Sequence, residues 1–383
     1  MHVVIPIERA LTRPWNDTGQ WAAALGRGLV RARLRVTVLA DTVLDTRPFE
    51  DAGLTLDLRR PDASMNARRP LAFRRWARRR AEEVGADVVL SLSRTMPGDV
   101  WMPLGLSAAE EAAFLFTGRN LVAKAFHAVG RTWLPQLSLA ERYAAREGRR
   151  RASPVLRLSG PGGGPTELMT ASLLDHPTDE ELRSLRERTR GVLDLAEDDV
   201  VALASAPHLG DAGWAEMLGG LARAPGGVRL LVCGGSPHAV MSRARAAGSA
   251  DRVTAISGVA DPSAVMAASD VAVNAAFHPR RFGSGRFVAD AIRIGRPALC
   301  ARRAPGSGLI EPPGFGSPPV GLVVEENAPE AWARAFETAC DRAWRERATK
   351  AARHIGAALG MDALIERLVV LLDRVASDRV SSR

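Results

Sequence analysis

Met1-His2-Val3-Val4-Ile5-Pro6-Ile7, then Trp21, Leu25 and Leu29 at helical spacing, then Arg35-Val36-Thr37-Val38-Leu39-Ala40, is the stretch that decides the fold. Two short apolar runs flank one helical stretch, so the chain opens on a strand, a loop, a helix and a second strand. Leu54 to Leu58, Asp87 to Ser91 and Val155 to Ser159 continue the alternation, which argues for a parallel sheet. A second set begins near Asp199. Val200 to Ala204, Val228 to Cys233, Val253 to Ile256, Val271 to Val273, Pro297 to Cys300 and Val320 to Val324 are its strand candidates, and the segments between them suit crossover helices. The economical reading is an α/β chain with two similar open sheets in tandem.

Working outward, 383 residues exceed one ordinary core and suit two domains plus connecting elements. The linker is expected between Ser159 and about Asp179, where Gly160-Pro161-Gly162-Gly163-Gly164-Pro165 breaks any regular element. A basic helix through Arg190 then leads into the second domain. From Ala328 the chain reads helical almost to its end, with Ala331, Ala335, Ala339, Leu364, Leu368, Leu371 and Leu372 at core spacing. The expected organisation is two Rossmann-like domains facing a cleft, residues 1–165 and 166–355, with a final helix, 356–383, packing back on the first.

Hydrophobic residues make up 46% of the chain in short broken segments, and no run reaches membrane-spanning length. The N-terminus reads as a strand rather than a signal peptide, and cytoplasmic residence is the default expectation. Cys233, Cys300 and Cys340 show no metal or redox spacing and read as free thiols. A net charge of +9 favours nucleotide phosphates, acidic lipid headgroups or nucleic acid as partners, although a GC-rich genome also yields an Arg-rich, Lys-poor chain. Aromatic residues are few and do not alternate with basic ones, which leaves nucleic acid the weakest of the three. In the basic run Arg68 to Arg80, Phe73, Trp76, Ala77, Ala81 and Val84 share one helical face and arginines fill the other. That pattern suits an ordinary crossover helix with its aromatic face in the core; the arginines also suit peripheral contact with an anionic membrane surface. The serine-nucleophile elbow, the HExxH zinc site and the Walker A loop are absent.

The first loop, Arg13 to Gln20, lies between strand and helix, where Asp17, Thr18 and Gly19 can hold an anion or a sugar hydroxyl; helix capping by Asp17 or Thr18 explains the same residues. Gly234-Gly235 and Gly258 follow strands of the second set and either turn the chain or admit a ligand close to the backbone. The richest segment runs from Phe277 to Pro297, a loop, a helix and a Gly-Arg-Pro turn into a strand. Gly283, Ser284 and Gly285 at the helix start offer free N–H groups to a diphosphate, and Arg280, Arg281 and Arg286 add positive charge. Asp290, further along that helix, suits ribose hydroxyls. A solvated Arg/Gly loop is the plainer alternative.

The order and spacing of Val228 to Gly234, Asp251-Arg252-Val253, Ile256-Ser257-Gly258, Ala267 to Val271, and Asp290-Ala291 to Gly295-Arg296-Pro297 resemble the family 4 glycosyltransferases of the GT-B fold. In the first half, Trp21 to Leu25 through Val36 to Asp41, and Asp87 to Ser91 through Pro97 to Val100, are similar to that family's lipopolysaccharide core glucosyltransferase branch. The resemblance implies a retaining, metal-independent transfer, without a cofactor, from a nucleotide-sugar donor to an envelope or lipid-linked glycan. It places Gly258, Gly283, Ser284, Gly285, Arg286 and Asp290 at the donor and Asp17, Thr18 and Gly19 at the acceptor or phosphate loop. The departures are specific. Ser205 to Trp214 holds neither the Arg nor the Lys that such enzymes use on the diphosphate, and Phe282 stands where the first of two paired acids belongs, with Asp290 in the second place. A catalytically silent homologue that binds a glycan or a protein is the rival expectation.

Overall fold

The computed structural model describes residues 1–10, 18–43, 45–59, 69–93, 96–102, 172, 174, 177–205, 213–234, 236–257, 261–275, 284–302, 304, 306–310 and 319–381. They divide into two units, the first holding the described residues up to 102 and those of Met361–Arg383, the second those of Thr170–Gly360.

In the first unit, β1 (His2–Ala10) leads through α1 (Thr18–Arg31) to β2 (Arg35–Val43), as the opening stretch requires. A short α2 (Arg47–Glu50) precedes β3 (Thr55–Leu58), and α3 (Arg69–Glu83) precedes β4 (Val88–Ser91) and the two-residue β5 (Val100–Trp101). All pairings are parallel, in the order β3-β2-β1-β4-β5. Val3, Val4, Ile5, Val38, Leu39 and Leu90 are wholly buried between helices that supply Trp21, Leu25 and Leu29 on one side and Phe73 and Ala77 on another. The apolar face of α3 is thus core: Phe73, Ala77 and Ala81 pack with Val4, Leu39 and Met96, with Trp76 and Val84 against them. Arg75 and Arg79 are exposed on its outer face, while Arg80 is tied to Asp57 and Glu83.

In the second unit, α4 (Asp179–Val192) starts at a capping box in which Thr178 and Glu181 satisfy each other's backbone N–H. Then follow β6 (Val200–Ser205), α5 (Trp214–Arg223), β7 (Val228–Cys233), α6 (Pro237–Ala246), β8 (Val253–Ile256), α7 (Pro262–Ala268), β9 (Val271–Asn274), α8 (Ser284–Arg293), β10 (Ala298–Ala301) and β11 (Gly321–Val324). The sheet is parallel, in the order β11-β10-β9-β6-β7-β8, which counted within the unit is 3-2-1-4-5-6 read from the β8 edge. Both units are Rossmann-like. β6 and β7 contribute Ala202, Leu230 and Val232 to a core closed by Trp332, Ala335, Phe336 and Ala339 of α9 (Pro329–Cys340).

The helical run after Ala328 is three helices, not one. Asp341 ends α9 and caps α10 (Arg342–Ala358), and Leu359-Gly360 separates that from α11 (Met361–Ser381). α11 belongs to the first unit. Its Leu364, Leu368 and Leu372 are wholly buried, and it crosses α1 closely because Gly28 has no side chain: a Cβ there would fall 2.4 Å from Cγ1 of Ile365. Arg379, near its end, donates to Oδ2 of Asp99 at 3.0 Å. No helix among the described residues is long and apolar enough to cross a membrane. Val155 to Ser159 and most of the expected linker lie outside the described residues.

Candidate functional site

In a doubly wound sheet the helices after the two central strands leave to opposite sides, and a crevice opens at the strands' carboxyl ends. In the second unit those strands are β6 and β9. Gly213, which precedes α5, has φ +110°, and a Cβ there would lie 1.8 Å from the Ala275 carbonyl oxygen just past β9 and 3.6 Å from Oδ1 of Asn327. Chain leaving β6, β9 and β11 therefore converges at one point that only glycine can occupy. Oδ1 of Asn327 is buried there without a hydrogen-bond partner. Sequence reading misses this: Gly213 carries no motif, and Asn327 stands far from Ala275 along the chain.

α8 starts after β9, beside that crevice. Ser284 and Gly285 form its first turn, so their N–H groups lack intrahelical carbonyl partners. Phe287, Val288, Ala289, Ala291 and Ile292 are buried, which fixes the helix on the sheet. Its end is a Schellman motif: the Gly295 N–H bonds to Ile292 O at 3.0 Å and the Arg296 N–H to Ala291 O at 2.8 Å, with Gly295 at φ +78°. This is the physical content of Gly-Arg-Pro. The last turn is also pinned to α10, where Arg293 donates to the carbonyls of Gly356 and Ala357 at 2.8 and 3.1 Å.

Arg286 and Asp290 stand one turn apart on this helix and meet each other, with Nε 3.3 Å from Oδ2 and side-chain exposures of 9% and 0%. The other carboxylate oxygen, Oδ1, accepts from Ser172 Oγ at 2.6 Å. Thus the charge that the sequence assigns to a diphosphate and the carboxylate assigned to a ribose face one another, and a hydroxyl approaching Oδ2 has to share or displace the guanidinium. Nothing in the sequence marks Ser172, which reaches Asp290 across 118 residues.

In the first unit the central strands are β1 and β4. Thr18 and Gly19 open α1, which puts Thr18 inside the helix rather than at the capping position; Gly19 is buried. After β4 the turn is tied by serines: Ser91 Oγ donates to the Met96 carbonyl, Ser93 Oγ accepts from Met96 N at 3.0 Å, and the Ser93 carbonyl accepts from Trp101 Nε1 at 2.7 Å. Buried Asp41 lies 3.6 Å from Arg59 at the carboxyl ends of β2 and β3. Of the remaining expected residues, Asp17, Gly235, Gly258, Arg280, Arg281, Phe282 and Gly283 lie outside the described residues. No group of three or more His, Cys, Asp or Glu among the described residues could hold a metal ion. The three thiols are free; burial pushes that of Cys233 up to about 12 and raises that of Cys300 as well.

Among solved structures, WaaG, a glycosyltransferase involved in lipopolysaccharide biosynthesis, matches with a TM-score of 0.69 at 18% identity, over 97% of this chain and 99% of its own. Anabaena HepE in complex with UDP matches with a TM-score of 0.69 at 15% identity, over 98% and 100%. WaaB, a lipopolysaccharide outer core galactosyltransferase, matches at 0.58 and 12%, over 97% and 99%. The chain has the GT-B fold. No protein-family model and no curated protein matches its sequence. α8, with both Arg286 and Asp290, belongs to the second Rossmann-like unit.

Proposed function

We propose that the chain is a glycosyltransferase whose nucleotide-sugar donor lies against the second unit, at the carboxyl ends of β6 and β9. The observation that carries this reading is α8, which begins beside that crevice and holds Arg286 and Asp290 in one buried pair. The N–H groups of Ser284 and Gly285, the helix dipole and the arginines of the preceding loop stabilise the leaving diphosphate without a metal, and Gly258 and Gly283 admit it close to the backbone. Asp290 addresses the ribose. HepE, solved with UDP and with UDP-glucose, supports a nucleotide-sugar donor for this fold. The transfer is retaining. The acceptor is an envelope or lipid-linked glycan taken by the first unit, with Asp17 and, at the start of α1, Thr18 and Gly19 holding it; the lipopolysaccharide roles of WaaG and WaaB support that class. Exposed Arg75 and Arg79 supply a peripheral contact with anionic lipid on the cytoplasmic side.

One observation favours the silent alternative. Arg286 and Asp290 neutralise each other, so a scaffold that binds no donor could hold the same pair. Calorimetric titration with UDP, GDP and ADP, followed by incubation with radiolabelled nucleotide sugars and a membrane glycolipid extract, separates the two. Nucleotide binding lost in Asp290→Ala and in Arg286→Ala, together with transfer or donor hydrolysis by the unaltered chain, is the expected result. No binding and no turnover with any nucleotide would leave the interaction-only reading standing.

A further inference from the structure

We propose that Ser172 is a positioning residue for ribose recognition: it locks the Asp290 carboxylate so that one chosen oxygen meets the sugar hydroxyls. The inference rests on the donor reading above and adds a residue that neither motif order nor helix geometry assigns. Ser172 is itself held from two sides and is buried. Its N–H donates to the Leu359 carbonyl at 2.8 Å, and its Oγ accepts from Leu174 N at 3.0 Å. A hydroxyl has one proton to give, and with a backbone N–H already on its lone pair, that proton goes to Oδ1 of Asp290 at 2.6 Å. The short distance is that of a hydroxyl on a charged acceptor.

The consequence for Asp290 is orientational. A carboxylate on a helix turns freely about its terminal torsion, which has broad minima rather than staggered wells. Ser172 fixes Oδ1 and Arg286 covers Oδ2, so the carboxylate plane is set before a ligand arrives. A ligand that draws the guanidinium towards a diphosphate then uncovers Oδ2 alone, already aimed, while Oδ1 stays on Ser172. Without the Ser172 hydroxyl the carboxylate keeps its charge and its burial but loses the contact that holds Oδ1, and binding energy goes into reorienting it. A merely structural Ser172 would tie residues 172–174 to α8 and nothing more. The two roles separate on one measurement, the preference for a ribose over a 2′-deoxyribose.

The test titrates the unaltered chain, Ser172→Ala and Ser172→Cys with UDP, GDP and ADP, each beside its 2′-deoxy counterpart. The expected result is a ribose preference in the unaltered chain that falls about tenfold in Ser172→Ala, the loss of one hydrogen bond to a charged group. Affinity for the deoxy form should stay within about twofold, and Ser172→Cys, a weak donor of similar size, should fall between. An unchanged ratio in a folded Ser172→Ala overturns the inference while leaving the donor reading intact. Failure of the unaltered chain to bind any of the six nucleotides overturns the donor reading and the inference together. If neither variant folds, the hydroxyl belongs to the scaffold and the positioning role is overturned.

Discussion

Asp270→Asn is expected to destabilise the second unit by about 3 kcal/mol, near the bottom of the range for breaking a buried ion pair. Asp270 stands just before β9, with its Oδ1 accepting from Arg186 Nη2 at 2.7 Å and its Oδ2 from Arg190 Nη2 and Val201 N, each at 2.8 Å. Its side chain is 14% exposed, that of Arg190 6% and that of Arg186 27%. Burial already pulls the Arg190 guanidinium below its ordinary pKa, with Asp270 opposing that shift and neighbouring Arg186 adding to it. Arg296 beside them is lowered to about 10, again chiefly by burial. One carboxylate therefore answers several crowded cations. Asparagine keeps the size and one acceptor oxygen but removes the charge, leaving Arg190 with carbonyl dipoles and the weaker pull of Asp199. Partial exposure and the retained acceptor place the loss at the lower end. By the same logic, Arg190→Gln should cost more than Arg186→Gln, whose side chain is screened by water and is worth about 1 kcal/mol. Urea unfolding followed by circular dichroism measures all three, with an unchanged denaturant slope marking a true stability effect. An Asp270→Asn midpoint equal to that of the unaltered chain, or an inverted arginine order, would refute the argument.

Alkaline pH should weaken the fold through its buried thiols. Cys233 has its pKa raised from 9.0 to about 12, so the unfolded chain ionises first and stability present below pH 9 is lost as pH rises towards 12, by about 1.4 kcal/mol per pH unit per thiol. Cys300 acts in the same sense, and a Cys233→Ala, Cys300→Ala double variant with an equally steep decline between pH 9 and 11 would contradict this. Gly213→Ala should lower stability by about 3 kcal/mol or more, since it combines a strained positive φ with a Cβ 1.8 Å from a carbonyl oxygen; a urea midpoint within error of the unaltered chain would show that the Ala275 segment yields. Replacing exposed Arg75 and Arg79 by Gln should reduce co-sedimentation with phosphatidylserine vesicles by about fivefold per residue, on the scale of about 1 kcal/mol for each basic residue near the surface. Indifference to both changes would remove the membrane contact.

Much of the architecture is legible in the sequence, for identifiable reasons. Val228 to Cys233 is legible to the residue because a strand inside a parallel sheet is buried on both faces, which makes it a short, largely apolar run with a sharp end; Val253 to Ile256 is legible too, although it is the edge strand and only Val253 is buried. β5 is not legible, since two residues have no period, and α2 is a single turn. At the site, α8 and its Gly-Arg-Pro ending are readable because they are local, whereas Asp290 meets not only a neighbour four residues back but also Ser172, far away in the chain. Periodicity finds the helix that carries a site. It does not find what a side chain meets when the fold closes.

The arginine excess illustrates the same boundary from the side of composition. The chain has only two lysines, Lys124 and Lys350, and a charge of +9 invites an anionic partner. Yet many arginines are already engaged with backbone. Arg186 spans the carbonyls of Ala267, Ala268 and Ser269 at the end of α7, where Arg296 takes those of Met266 and Ala267. Arg252 gathers Leu221, Ala224 and Pro225 behind α5, Arg345 reaches Ala339 at the end of α9, and Arg293 closes α10. Each guanidinium adds a donor to carbonyls at or just past a helix end, some of which also accept a backbone N–H, and places positive charge at the negative pole of the dipole. Lysine would replace some of them poorly, because Arg296 places Nε on Met266 and Nη2 on Ala267, and Arg186 holds Asp270 with Nη2 while Nη1 takes the carbonyls, which a single ammonium group cannot do. The net charge is therefore a property of how the second unit ends its helices as much as of what the protein binds, and an anionic partner has to be argued from particular cations, with Arg286 at the crevice and Arg75 and Arg79 on α3 as the ones to test.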